Sequence, residues 1–303
     1  MKVTFFGVRG SYPVPDAKMM GYGGRTASVM FTKEMNGTIV PLFIDAGIGV
    51  IEAGKQILPQ IFAGKCVRNL NMFFTHLHPD HTEGFTFFAP NFLPQVELNL
   101  FGMAALKKNV GMVLRDKMAP PTYPIEYKDL KSTRNHFVIT DGQTVYVDIF
   151  GQVTDKPSKS IATAYIVQAM QAFAPSHPQQ GAIYYKVTDP DTNKSVACIW
   201  DIESRRGGDQ RVISFSRNAE IMIHDTQYTD EEYDSSKMVV QGFGHSTYSM
   251  AIENAVNAGV KTLVPFHYNP THTDDALDKI TANYEGRKDV LIRPSKEGLS
   301  LEI

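Results

Sequence analysis

Residues 76–81 read HLHPDH, which places three imidazoles and one carboxylate within six positions. The run follows the apolar stretch NMFF, so the ligand types sit where a buried strand ends. Alternation along an extended segment puts His76 and His78 on one side. Pro79 stops a regular ladder, which turns Asp80 and His81 towards an adjacent position. Imidazole nitrogens with a carboxylate suit zinc, and also manganese or iron. Three of the nine histidines fall in this one turn, which argues against a chance surface cluster.

Four ligands do not complete a pair of metal sites, so other strand ends must contribute. His177 follows an apolar strand pattern in APSHPQQG, Asp201 ends VACIW, and His267 ends TLVPF. Each stands where a strand pattern meets a turn, the position from which a side chain can leave the core and still be held rigidly.

Strand patterns rich in β-branched and aromatic residues occur at 2–6, 27–32, 39–44, 70–75, 97–101, 144–149, 164–173, 182–188, 195–200, 220–224 and 262–267. Helical patterns occupy 48–62, with Pro59 as an early stop, 247–258, with Ser246 as N-cap, and 274–284, capped by Thr273. The Pro- and Tyr-rich stretch 119–133 reads as a surface connection or a cover over a site. No linker composition interrupts the 303 residues, so a single layered α+β domain over 1–303 is expected. The net charge is −2, and only Cys66 and Cys198 are present, which points to a reducing cytoplasm rather than a disulfide scaffold. No apolar run reaches membrane-spanning length.

THLHPDH resembles the HxHxDH signature of the metallo-β-lactamase superfamily, and FIDAGIG (43–49) resembles its first motif, with Asp45 at a strand end. The resemblance covers nearly the whole chain and implies an αββα four-layer sandwich with its site at one edge. It implies two divalent metal ions, zinc first and manganese or iron next. His76, His78 and His177 would hold one, Asp80, His81 and His267 the other, with Asp201 bridging both. A hydroxide between the metals would be the nucleophile, and Asp45 would orient a ligand histidine through its second ring nitrogen.

His245-Ser246-Thr247 resembles the HST motif of the superfamily's phosphodiesterase branch. His224-Asp225-Thr226 lies where relatives carry His-Glu-Ala-Thr. By that resemblance Asp225 orients His245, which gives a proton to the leaving oxygen. The catalytic group is then His245, Asp225 and Asp80. The implied activity is dinuclear phosphodiester hydrolysis. Hydrolysis of a lactam, lactone or thioester is the alternative, and a di-iron redox role comes third.

GVRGS and GYGGRTAS resemble motifs of a group of bacterial members, with Arg25 in place of the usual Asn. Arg9, Arg25 and Arg205 are candidates to reach an anionic substrate. The slightly acidic charge, and the lack of a visible Gly/Pro-rich gripping arm, point to a small substrate such as a cyclic nucleotide or cyclic ribose phosphate. They argue against a large nucleic acid and against a membrane, while the fold allows a homodimer. The aromatics Phe85, Phe87, Phe88 and Phe92 are expected to pack the core.

Overall fold

The structure is a computed structural model that describes residues 1–104, 107–172, 176–178 and 181–303. The first half of the chain supplies β1 (Lys2–Gly7), β2 (Ser28–Met35), β3 (Thr38–Ile44), β4 (Asn69–Phe73), β5 (Glu97–Gly102) and β6 (Thr133–Val138). The second supplies β7 (Thr144–Asp148), β8 (Val153–Thr154), β9 (Thr163–Ala172), β10 (Ala182–Thr188), β11 (Ser195–Ile199), β12 (Ile221–Asp225), β13 (Thr262–Phe266) and β14 (Leu291–Ile292). A last strand, β15 (Ser300–Glu302), returns to pair with β1. Phe173, the expected end of the strand now seen as β9, lies outside the described residues.

One sheet runs β15-β1-β2-β3-β4-β5-β6 and the other β14-β13-β12-β11-β10-β9-β7-β8. Pairing is parallel from β3 to β6 and from β11 to β14, and antiparallel in the remainder of each sheet. Strands buried on both faces read as continuous apolar runs, which is why β3, β11 and β13 carry little alternation. The sheets pack face to face through Phe73 on Tyr185 (ring centroids 5.3 Å) and Phe5 on Phe266 (6.0 Å). Buried tyrosines also cross the interface to spare carbonyls: the hydroxyl of Tyr185 donates to Phe74 (2.8 Å) and that of Tyr165 to Val40 (2.6 Å).

Helices α1 (Val50–Phe62) and α2 (Val110–Lys117) cover the first sheet. The short α3 (Gln210–Phe215) and α4 (Asp230–Tyr233) precede α5 (Tyr248–Asn257), which covers the second sheet, and α6 (Asp274–Ala282). The layers are therefore α, β, β, α, as expected.

Pro59 sits inside the last turns of α1 rather than ending it. The N-cap of α5 is Thr247, not Ser246, and its hydroxyl accepts from the Met250 amide (3.3 Å). Strand β6 was not expected, because four of the six residues of TRNHFV are polar and it lies on the outer flank of its sheet. In the stretch 119–133, Tyr127 and Leu130 are buried, and Tyr123 faces Phe87 (6.1 Å). Phe85 and Phe88 are in the core, whereas Phe87 and Phe92 are exposed and correct the expectation for those two. Among the described residues no helix is long and apolar enough to cross a membrane.

The topology explains where a site must form. Parallel strands end on the same edge, so the carboxyl ends of β3, β4, β11, β12 and β13 converge between the sheets. Asp45 and His267 stand one residue past such an end and Asp201 two residues past, and all three hold positive φ (60°, 60° and 58°). Asp and His tolerate this left-handed conformation better than most residues, and three instances on one edge mark a built site.

Candidate metal centre

Two groups of donors meet on this edge. His76, His78 and His177 form one, and Asp80, His81, Asp201 and His267 the other, each with its ligand atoms within 4.8 Å of one another. Asp201 lies between them. Its Oδ1 is 3.7 Å from His76 Nε2 and 3.9 Å from His177 Nε2, while its Oδ2 is 3.1 Å from His81 Nε2 and 3.2 Å from His267 Nε2.

The chemistry of these donors fits two cations. His81 Nε2 and His267 Nε2 are 3.3 Å apart, and His177 Nε2 is 3.1 Å from His78 Nδ1. Lone pairs facing at such distances repel unless a cation or proton lies between them. His76 Nε2 and Asp201 Oδ2 are buried with no hydrogen-bond partner among the described residues, a costly state that a metal bond would relieve. Burial, reinforced by neighbouring imidazoles, holds His76 well below the usual histidine range and takes His177 down to about 4 against the pull of Asp201. Both are therefore neutral, the form that binds metal.

The second ring nitrogens are fixed by the fold. His81 Nδ1–H donates to Asp45 Oδ2 (2.8 Å), and His177 Nδ1–H donates to the Gly244 carbonyl (3.2 Å). His76 Nδ1–H donates to the Thr75 hydroxyl (3.2 Å), which itself donates to Asp45 Oδ2 (2.7 Å). Asp45 thus sets ring orientation in both donor groups. The Trp200 indole N–H also donates to Asp45 Oδ2 (2.8 Å). Thr75 and Trp200 escaped the sequence reading, although the chain's single tryptophan standing directly before Asp201 was an available signal.

The GVRGS stretch turns out to be a strut for this site. The Ser11 amide donates to Asp80 Oδ2 (2.7 Å), and Gly10 packs against the His267 ring. Arg9 is corrected as a substrate contact. It is fully buried, and its guanidinium is spent on the carbonyls of Gly23 (2.8 Å), Asn269 (3.1 Å) and His272 (2.7 Å). Arg25 pairs with Glu297, whose carboxylate also accepts the Arg25 amide (2.6 Å), so its side chain is tied to the C-terminal segment. Arg205 is exposed near the rim.

A second assembly adjoins the donors. His245 Nδ1–H donates to Asp225 Oδ2 (2.8 Å), which also accepts the Asp201 amide (2.9 Å). Asp225 Oδ1 accepts the amides of Ser246 (3.2 Å) and Gln227 (3.1 Å). The shorter acid reaches His245 because it ends β12 beside the turn that carries Asp201. Burial by itself would lower the proton affinity of His245, but Asp225 reverses this and raises it above the usual value, with Asp201 and Asp80 adding to the effect. The His245 ring lies 5.0 Å from that of His267, stacked, and so borders the donor groups.

No protein-family model matches the chain. A ribonuclease Z of Thermoplasma volcanium is 26% identical over 299 aligned residues, which cover 90% of this chain and 89% of the relative. Among solved structures, the metallo-β-lactamase fold protein YhfI from Bacillus subtilis superposes with a TM-score of 0.61 at 17% identity, covering 99% of each chain. The short form of human tRNase Z gives 0.58 at 19% identity, covering 100% of this chain and 99% of that one. The chain has the metallo-β-lactamase fold. Its resemblance is to the phosphodiesterase branch of that superfamily.

These relatives overturn the expectation that a large nucleic acid is an unlikely partner, because the similar curated proteins carry the name of a ribonuclease. The physical reason is plain. A net charge of −2 averages over the whole surface, whereas a phosphate backbone responds to the local field, which two divalent cations would dominate.

Proposed function

We propose that this protein is a dinuclear metal phosphodiesterase, a hydrolase that cleaves a phosphodiester bond of an RNA strand. In this reading His76, His78 and His177 hold one ion, Asp80, His81 and His267 hold the other, and Asp201 lies between the two. The nitrogen- and oxygen-only donor set favours zinc, with manganese or iron as substitutes. When bound, the ions supply an activated water and polarise the phosphoryl oxygens. Two divalent charges opposed by two ligand carboxylates leave a positive surplus, which suits an anionic phosphodiester better than a neutral lactam or thioester.

The observation that carries the reading is the His245–Asp225 dyad beside the Asp201 turn. A phosphodiester expels an alkoxide that needs a proton, and His245 Nε2 is the ring atom left to deliver it. Asp225 keeps the proton on Nδ1 through hydrogen bonding and stabilises the imidazolium before transfer. It does not take the proton itself. Asp80 contributes by holding its carboxylate against His81 and His267, fixed by the Ser11 amide. The buried free thiols of Cys66 and Cys198 suit a reducing cytoplasm.

The test is a substrate panel of short RNA, cyclic nucleotides, a cyclic ribose phosphate, bis(p-nitrophenyl) phosphate and a thioester, run on protein of measured metal content. RNA turnover that needs bound metal supports the proposal. Turnover of cyclic nucleotides alone would move the substrate to a small cyclic phosphodiester, and thioester turnover alone would sink the phosphodiesterase reading.

A further inference from the structure

Beyond the dyad, the chain builds a surface that the metal reading does not use. Two cavities of about 350 and 400 Å³ share Ser176 and Arg205 as common wall residues. Ser176 directly precedes the donor His177, Arg205 lies four residues past Asp201, and the second cavity is also lined by Gly242, the residue before Phe243. The backbone ahead of Arg205 is anchored to the general-acid loop. The Ser204 amide donates to Ser246 Oγ (3.0 Å), and that hydroxyl donates to the Ile202 carbonyl (2.6 Å).

The acids lining the cavities are already engaged. Glu203 accepts the amides of Gly242 (2.7 Å) and Gly244 (3.1 Å) and the Tyr233 hydroxyl (2.7 Å). Asp209 caps α3, and Asp234 pairs with Arg206 (2.6 Å). Arg205 is different: it is exposed and has no ion-pair or hydrogen-bond partner among the described residues. The Glu203 clamp has a further result. It fixes the turn on both sides of Phe243, whose ring is 57% exposed only two residues before His245.

A free guanidinium and an exposed aromatic ring, on two turns that are hydrogen-bonded to each other around His245, match the two parts of a nucleotide. A guanidinium takes a phosphate through paired N–H donors, and an exposed ring offers a face to any base. We propose that Arg205 and Phe243 form a subsite for the single-stranded RNA segment that carries the leaving oxygen, with Arg205 on a flanking phosphate and Phe243 stacked on a base. The inference rests on the phosphodiesterase reading and adds to it the side of the substrate that the protein grips. It also supplies a local handle on a polynucleotide that the overall charge of the chain conceals.

The experiment compares wild type with Arg205→Ala, Arg205→Lys and Phe243→Ala on two substrates, a short single-stranded RNA and bis(p-nitrophenyl) phosphate. The readout is the ratio of kcat/KM for RNA to that for the small diester. Loss of one phosphate or stacking contact lowers this ratio by about tenfold in each Ala variant, mainly through KM. Arg205→Lys recovers part of the loss, because it keeps the charge and gives up the fork. Anisotropy of a labelled RNA gives a readout apart from turnover: the slope of log affinity against log salt falls by about 0.7 in Arg205→Ala. An unchanged ratio with an unchanged salt slope overturns the subsite and leaves the phosphodiesterase reading standing. Metal-loaded wild type that cleaves neither substrate overturns both.

Discussion

The Trp200 indole N–H donates to Asp45 Oδ2 across 2.8 Å, joining the end of β11 in one sheet to the end of β3 in the other. Both groups are fully buried. The same oxygen receives the His81 ring and the Thr75 hydroxyl, so one carboxylate ties the two sheets together at the point where the donors converge. A buried carboxylate is costly unless its lone pairs are satisfied, and here each contact that satisfies one also orients the site.

Trp200→Phe keeps an aromatic ring against Phe266 and removes only the indole's donor and its second ring. Asp45 then holds His81 and Thr75 less firmly, and metal affinity falls by about ten- to a hundredfold, the usual cost of losing an outer partner of a ligand. Competition against a chelator measures it, with the unfolding midpoint of the metal-free protein as a control for lost packing. Unchanged metal affinity would show that the indole only fills space.

His245→Ala separates proton delivery from metal chemistry by the leaving group. An RNA alkoxide needs a proton, so kcat on RNA falls by about 10²–10⁴-fold. A p-nitrophenolate departs without one, so kcat on bis(p-nitrophenyl) phosphate falls far less. Equal losses on both substrates would mean that His245 shapes the site rather than donating a proton.

How far the sequence disclosed this arrangement depends on what each residue does. HLHPDH was legible because four ligand types crowded behind a strand have few other uses. His177, Asp201 and His267 were legible by their common place at strand ends, which parallel topology turns into one edge. Arg9 misled, because an arginine in a glycine-rich turn reads equally as an anion contact or as a buried tie for carbonyls, and only packing separates the two. Strand β6 was hidden by polar residues on its sheet's flank. The RNA-type relatives ran against a charge argument that summed over the whole surface. Gly10 and Ser11 showed as motif residues, but their action on His267 and Asp80 is long-range and has no local signature.

Lys33 and Asp189 give a pH dependence remote from the donors. Lys33 Nζ lies 2.6 Å from Asp189 and 2.7 Å from Asp191, and the N-terminal ammonium is 3.4 Å from Asp189. Burial pushes the Asp189 carboxyl up, but the Lys33 hydrogen bond, the Asp191 amide and the two cations hold it below its ordinary value. A carboxyl depressed in the folded state stabilises the fold above the ordinary carboxylate range and loses that contribution as pH falls through the folded value. Asp189→Asn is therefore destabilised by about 2 kcal/mol at neutral pH, where Lys33 keeps only Asp191. Urea unfolding should show the gap to wild type closing as the pH drops below about 4. A gap that stays constant down to strong acid would rule the mechanism out.

Gly10→Ala tests whether the N-terminal turn shapes the centre. Gly10 does not hold a positive φ, so alanine is compatible with its backbone, and any effect must come from space. A Cβ there would lie 2.4 Å from the His267 ring and 2.5 Å from Gln227 Oε1, far inside contact distance. His267 cannot retreat easily, because its ring is fully buried and stacks on those of His81 and His245. The methyl group therefore displaces the ring that serves the Asp80–His81 group, while His76, His78 and His177 stay in place. Metal content after dialysis should fall from two ions towards one, with RNA turnover lost and the fold retained by circular dichroism. Two ions retained at wild-type affinity would mean that the turn yields before the ring does.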